Sequence, residues 1–337
     1  MRRSNLKDVL DVFKRENNFL IGTHVHPDGD GIGAGLALAL GLKKINKKAI
    51  IVLNEPIPEN YRFLPIDGLV KNINSIKVDY NIGVTIECSD LDRLGDVKEV
   101  FKKVKKIVNI DHHPGNTFFG DYNYIVSSAC AVGEQIYDIL KGLRINFNKN
   151  IATCIYTSIL TDTGSFAYSN TTKRTHEVVV DLLKYDIIPS EIYKNIYEMN
   201  SLGKIQLLGI AINLLKMSKD KRIVWTTLKQ DEFLKTKTVY EDAEGIINYI
   251  RSIKDVDVAI SFIELKNNLV KVSFRSKDDS IDVNKIASFF NGGGHKRSAG
   301  AQINGNLEEV KKRVLKRVFE YVSKVKNKKA QGKKSMD

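Results

Sequence analysis

The stretch THVHPDGDGIGAGLAL, Thr23 to Leu38, sets two His, two Asp and four Gly in one turn. Before it, NFLIGTH (18–24) is a short apolar strand pattern, and after it DGIGAGLALALGLKKI (30–45) reads as a helix opened by glycine. A strand, a polar Gly-rich turn and a helix form the first unit of an α/β sheet. Two chemistries compete for the turn. Gly29, Gly31 and Ala34 satisfy G-x-G-x-x-A, and Glu55 falls about 20 residues later at a strand end, where a dinucleotide site puts its ribose-binding acid. Asp28 and Asp30 would then sit beside a pyrophosphate, at a helix N-terminus suited to anions, and repel it. The metal reading uses the same residues without conflict. His24, Asp28 and Asp30 form H-x-x-x-D-x-D, an imidazole with hard oxygens suited to manganese or a similar divalent ion. Clustered carboxylates are costly unless cations neutralise them.

Outward from this turn the alternation continues. AIIVLNE (49–55), NIGVTIECS (81–89) and KKIVNIDHH (105–113) read as further strands, with DVKEVFKKVKK (96–106) helical or turning between them. The order predicts a mainly parallel sheet covered by helices, with ligands beyond the carboxyl ends of its strands. Residues 130–215 show successive apolar spacings of three and four, which predict helices. After about 217, KRIVWTTL, VDVAISFIEL and NLVKVSFRS read as strands, and VNKIASFF and LEEVKKRVLKRVFEYVSKV as helices. The segment FNGGGHKRSAGA (290–301) interrupts them as a Gly-rich loop.

At 337 residues the chain is long enough for two domains. Its three cysteines, Cys88, Cys130 and Cys154, are widely spaced in apolar surroundings, which argues against a disulfide framework or a zinc cluster. The start, MRRSNLKDVLDVFKRENN, has no apolar core of signal-peptide length, and no run approaches a membrane span, so a cytoplasmic protein without a membrane partner is expected. The net charge of +13 favours anionic partners, nucleotides or nucleic acid first. Part of that charge is the tail Lys326, Lys328, Lys329, Lys333 and Lys334, which reads equally as solvated surface.

More candidate ligands stand where apolar elements end. ECSDLDRLGD offers Glu87, Asp90 and Asp92, NIDHHPGN offers Asp111, His112 and His113, and LTDTGSF offers Asp162. A lone Asp or His in such a place is ordinarily a cap or a satisfied polar group. Four clusters together suffice for two ions sharing a carboxylate, and two ions about 4 Å apart activate water and clamp a phosphoryl group.

Together these clusters resemble the DHH phosphoesterase superfamily, whose motif stands here as Asp111-His112-His113. FNGGGHKRSAGA resembles the GGGH motif of the type-1 DHH-associated domain. The resemblance runs across nearly the whole chain. It separates the chain from family II pyrophosphatases, which share the catalytic motifs but carry a different C-terminal domain. It implies an α/β protein with an N-terminal, mainly parallel sheet flanked by helices, a helical linker and a smaller α/β C-terminal domain. The expected boundaries are 1–188 for the catalytic domain, 189–215 for the linker, 216–325 for the substrate-binding domain and 326–337 for a basic flexible tail.

The resemblance further implies two Mn²⁺ ions per active site, with Mg²⁺ or Co²⁺ as substitutes. His24 and Asp28 would ligate one, and Asp30, His112 and Asp162 the other. The bridging position, an Asp in D-x-S-D-x-x-R, is Glu87 in the present E-C-S-D-L-D-R. Glu keeps the charge and adds a methylene, so Glu87 is expected to bridge with weaker catalysis. His113 would face the scissile phosphate, and Asp111 would orient the histidines. Arg275 ends VSFRS where the family has a phosphate-gripping Arg. Gly292, Gly293 and Gly294 let backbone N–H groups approach a phosphate, and His295, Lys296 and Arg297 add charge. The activity implied is Mn-dependent hydrolysis of short oligonucleotides or dinucleotides: 5′-pApA and other nanoRNAs to mononucleotides, and pAp to AMP. Cyclic di-AMP hydrolysis is the alternative within the class, and a metal-dependent nucleotide-binding or RNA-binding module with little turnover is the alternative outside it. A homodimer is compatible with the resemblance.

Overall fold

The structure, a computed structural model, describes residues 3–76 and 80–334, with side chains as far as residue 325. The chain divides into two compact units, Met1–Met199 and Asn200–Asp337.

The first unit is built on six strands: β1 (Asn18–Thr23), β2 (Lys48–Leu53), β3 (Val70–Asn72), β4 (Ile82–Ile86), β5 (Lys106–Asp111) and β6 (Tyr122–Ile125). All pair in parallel, in the order β3-β2-β1-β4-β5-β6. Its helices are α1 (Leu6–Arg15), α2 (Gly29–Lys44), α3 (Lys98–Phe101), α4 (Val132–Gly142), α5 (Lys149–Asp162), α6 (Lys173–Leu182) and α7 (Pro189–Tyr197). β1, β2 and β4 are apolar on both faces because helices cover both sides of a parallel sheet. Alternate side chains divide between two cores. Phe19 and Ile21 pack with α2, α4 and α5, whereas Leu20 and Val52 pack on the opposite face with Leu94 and Phe101. β3 and β6 are three and four residues long and carry Asn or Lys, too short and polar for the apolar-run criterion that found the others.

α2 is buried along nearly its whole length, from Gly29 to Ala39. Its small residues serve a close crossing with α5: a Cβ on Gly33 would stand 2.5 Å from the carbonyl oxygen of Cys154. Gly33 thus lets two helices touch backbone to backbone. Because every strand points the same way, the segments after β1, β4 and β5 all emerge at one edge. β1 and β4 are neighbours whose connections leave in opposite directions, so the edge between them is the switch point at which such sheets bind ligands.

The second unit carries β7 (Lys216–Met217), β8 (Ile223–Leu228), β9 (Val258–Leu265), β10 (Leu269–Ser276), β11 (Gly293–His295) and β12 (Ser298–Asn304), in the order β11-β12-β10-β9-β8-β7. Only the β8–β9 pair is parallel. Its helices are α8 (Leu202–Asn213), α9 (Gln230–Thr236), α10 (Ile246–Arg251), α11 (Val283–Ser288) and α12 (Leu307–Lys334). Segment 290–301, expected as a loop, contains a hairpin: β11 pairs with β12 across a two-residue turn at Lys296 and Arg297. The 189–215 segment is two helices rather than one run. Polar Asn200 and Ser201 break the apolar spacing, and the Ser201 side chain accepts from the Lys204 N–H to start α8. The division between units falls there, after Met199. α12 continues through Lys334, and the side chains of Lys326, Lys328, Lys329, Lys333 and Lys334 lie outside the described residues. Cys88, Cys130 and Cys154 are buried and unbridged. No helix among the described residues is long and apolar enough to cross a membrane.

Candidate active site

Asp28 caps α2: its Oδ1 accepts from the N–H groups of Asp30 (2.9 Å) and Gly31 (3.2 Å). Asp30, one residue into that helix, is fully buried, and it is held from the far side of the fold. Its oxygens accept from the N–H groups of Val132 (2.9 Å) and Gly133 (3.2 Å) at the start of α4, and from the Ser158 hydroxyl on α5. A helix N-terminus thus receives the carboxylate, as its dipole favours. His24 follows β1. Its Nδ1 donates to the Val25 carbonyl (2.7 Å), which leaves Nε2 to face Glu87 Oε2 at 3.4 Å. Glu87 follows β4 and is buried, with a left-handed backbone φ of 58°.

At the end of β5, Asp111 accepts from the His112 N–H (2.8 Å) and from His113 Nδ1 (2.7 Å) on Oδ1, and from Asn116 Nδ2 (2.6 Å) on Oδ2. His112 turns Nδ1 to the Ala129 carbonyl (3.2 Å), so Nε2 faces Asp30 (3.8 Å) and Asp162 (3.7 Å). Asp162 closes the cluster from the last residue of α5, with Asn170 Nδ2 against its backbone and side-chain oxygens.

Donor atoms within 4.8 Å of one another form three sets: His24, Asp28 and Glu87; Glu87, His112 and His113; Asp30, His112 and Asp162. All six residues expected as metal ligands are in them, and His113 joins through Glu87 and His112. The electrostatics show what such a set requires. Burial, then Asp28, Asp30 and Asp162, push the Glu87 carboxyl well above the usual carboxylate range. Burial and Asp30 push Asp162 up to about 7. Burial likewise raises Asp30. Burial alone would lower His112, but Asp30 and Asp162 outweigh it and raise it. Asp111 goes the other way: burial is outweighed by His113 and Asn116, and its carboxyl is lowered. Glu87 Oε2, buried, accepts no hydrogen bond among the described residues. Buried acids without enough donors, mixed with imidazoles whose Nε2 atoms point inward, fit hard divalent cations.

Two other sequence candidates serve local structure instead. Asp90 accepts from the Arg93 N–H to cap a short turn, and exposed Asp92 pairs with Lys98. The sequence does not single out Asn116 or Ser158, which the structure adds to the site. Asn116 ties Asp111 to the Cys88 carbonyl and also accepts from Asn109 Nδ2, so it braces the DHH segment from behind. The signal was its place in NIDHHPGN; Ser158, 128 residues from Asp30, gave none.

In the second unit, Arg275 on β10 pairs with Ser298 on β12, which pairs with His295 on β11, so the three lie in one row across the sheet. Gly294 has φ 142°, and a Cβ on it would meet the Ser298 carbonyl oxygen at 2.5 Å. Gly292 also packs against β12, whereas Gly293 has open space on its Cβ side. Lys296 is exposed at the hairpin turn, and Arg297 is held by Asp279.

The family model described as the DHH family, N-terminal domain, matches residues 18–159, and that of the DHHA1 domain matches 232–324. A Thermus thermophilus protein named bifunctional oligoribonuclease and PAP phosphatase NrnA is 30% identical over 320 residues, 94% of either chain. The chain belongs to the DHH family. As a DHH phosphoesterase it is a hydrolase of phosphoester bonds and depends on metal. A Bacillus subtilis protein of the same name is 27% identical to this DHH chain, over 85% of it and 90% of the relative. The solved structure of an exopolyphosphatase-related protein from Bacteroides fragilis shares the DHH fold with a TM-score of 0.88, at 24% identity over 95% of this chain and 97% of that one.

Proposed function

We propose that this DHH protein is a manganese-dependent phosphoesterase that uses two ions to hydrolyse short nucleotides: 5′-pApA and other nanoRNAs to mononucleotides, and pAp to AMP. One observation carries the reading. Glu87 and His112 each belong to two of the three donor sets, so the sets form one continuous cluster rather than three isolated ones. His24 and Asp28 would hold one ion and Asp30, His112 and Asp162 the other, with Glu87 available to both. When bound, the ions supply Lewis acidity, which acidifies water and neutralises charge on a phosphoryl group. Imidazole and carboxylate donors suit Mn²⁺, with Mg²⁺ or Co²⁺ as weaker substitutes.

The protein's own groups do the positioning. Asp111 accepts from Nδ1 of His113 and so directs Nε2 toward the substrate side, where the imidazolium form donates a hydrogen bond or proton to the phosphate. Val132, Gly133 and Ser158 hold the Asp30 carboxylate, which keeps its geometry before substrate arrives. In the second unit, Arg275, His295, Lys296 and Arg297, with the N–H groups of Gly292, Gly293 and Gly294, grip a terminal phosphate or second nucleotide. Two relatives named for oligoribonuclease and PAP phosphatase activity support linear short substrates over cyclic di-AMP.

The test is AMP release from pApA, with Mn²⁺ and with EDTA, and with cyclic di-AMP in parallel. Metal-dependent AMP from pApA is expected. Nucleotide binding with Mn²⁺ but no product from either substrate would replace the enzyme reading with a binding module.

A further inference from the structure

We propose that His26 and Glu55 form a subsite for the sugar hydroxyls of the substrate, beside the donor cluster, which makes the enzyme select ribonucleotides over deoxyribonucleotides. The inference deepens the reading above and rests on it.

His26 lies two residues from both His24 and Asp28, so its Cα is within about 7 Å of either. Glu55 follows β2, the neighbour of β1, and reaches the same sheet edge. The pair is tightly organised for so exposed a place. Glu55 Oε2 accepts from the His26 N–H at 3.0 Å and from its Nδ1 at 3.0 Å, although the side chains are 67% and 37% exposed. His26 takes a left-handed φ of 54° immediately before Pro27, a backbone disfavoured for a non-glycine residue ahead of proline. The double grip of Glu55 offsets that strain and aims the ring.

The chemistry of the presented atoms selects the ligand. The His26 backbone N–H and Nδ1 both donate to Glu55 and so fix the direction of its carboxylate. Both contacts fall on Oε2, so Oε1 of Glu55 remains to accept from outside. An outward carboxylate oxygen matches a hydroxyl donor, such as the 2′-hydroxyl of a ribose. It does not match phosphate, which Glu55 would repel. A sugar adjoins the scissile phosphate of any nucleotide, so a hydroxyl subsite within one loop of the metal ligands is in reach. The sheet order supports this placement: in sheets ordered 3-2-1-4-5-6, an acid at the end of the second strand is where a ribose 2′-hydroxyl is bound. Of the dinucleotide fingerprint in the opening stretch, Gly29 makes room for Thr161 of α5 and Gly31 for Thr23 and Glu87, and the acid keeps its sugar.

The experiment compares pApA with its fully 2′-deoxy counterpart on the Mn²⁺-loaded full chain, for the wild type, Glu55→Ala, Glu55→Gln and His26→Ala. AMP and dAMP binding is measured alongside by calorimetry. The wild type is expected to prefer the ribonucleotide by about tenfold or more in kcat/KM. Glu55→Ala and His26→Ala should bring that ratio close to one, with AMP and dAMP affinities converging, and Glu55→Gln should fall between. A wild type that treats both sugars alike, or variants that lose both substrates in parallel, would reduce the pair to a loop fastener and overturn the proposal. A wild type that turns over neither dinucleotide would sink the functional reading, and this inference with it.

Discussion

At Glu87 three properties meet: a left-handed backbone, near-complete burial and a carboxylate oxygen without a hydrogen-bond donor among the described residues. Left-handed φ is several-fold easier for Asp than for Glu, and the shorter side chain draws the carboxylate back by one methylene. Glu87→Asp is therefore expected to raise kcat/KM several-fold and to shift metal affinity, measured by steady-state kinetics and metal titration. If both stayed as they were, Glu87 would not be the bridge. Asp111 makes the complementary case. Asp111→Asn keeps the shape but removes the charge that orients His113, and a loss of about 10- to 100-fold in metal affinity or activity is expected, by the same two measurements. At this scale the sequence was legible where donors adjoin apolar runs, as with His24, Asp28, Asp111 and His112. Asp30 was legible as a ligand candidate, but not its bracing by Ser158, because a contact spanning 128 residues leaves no local pattern.

At the scale of elements, the strands that set the site were all visible as apolar runs, and their common direction followed from alternation with helices. What escaped were pieces whose existence depends on neighbours. β11 is formed of two glycines and a histidine and exists because β12 lies beside it, so composition alone reads it as a loop. The α7–α8 break is similar: apolar spacing continues across it, and Ser201 decides where the second helix starts. The α2–α5 crossing gives a stability prediction. Gly33→Ala would drive a methyl to 2.5 Å from the Cys154 carbonyl oxygen, part of a helix backbone that cannot swing aside. A loss of about 1–3 kcal/mol is expected by urea denaturation. No change would mean that the two helices separate more readily than their burial implies.

For the whole molecule, the metal-free state is defined by its surplus of buried acids. Asp30, Glu87 and Asp162 hold protons more tightly in the fold than in the unfolded chain, and His112 does so too. The native state therefore carries the larger number of protons between about pH 4 and the value of about 7 that Asp162 reaches. Stability in EDTA should fall as pH rises through that window, followed as Tm in thermal unfolding. Adding Mn²⁺ near pH 7 should restore it, by about 2.7 kcal/mol when free metal exceeds Kd a hundredfold. An EDTA profile that rises over the same interval would show that the carboxylates are satisfied by some other means.

The long reach of Asp30 has a consequence for the life of the chain. Its carboxylate is seated by Val132 and Gly133, more than a hundred residues downstream, and by Ser158 beyond them, while Asp162 supplies a donor from farther still. A nascent polypeptide that has emerged only as far as His113 already carries the DHH residues but nothing to seat Asp30. The donor cluster is thus incomplete in every copy that has not yet reached Asp162. The topology of the candidate active site keeps a growing phosphoesterase chain inert until its later helices have emerged.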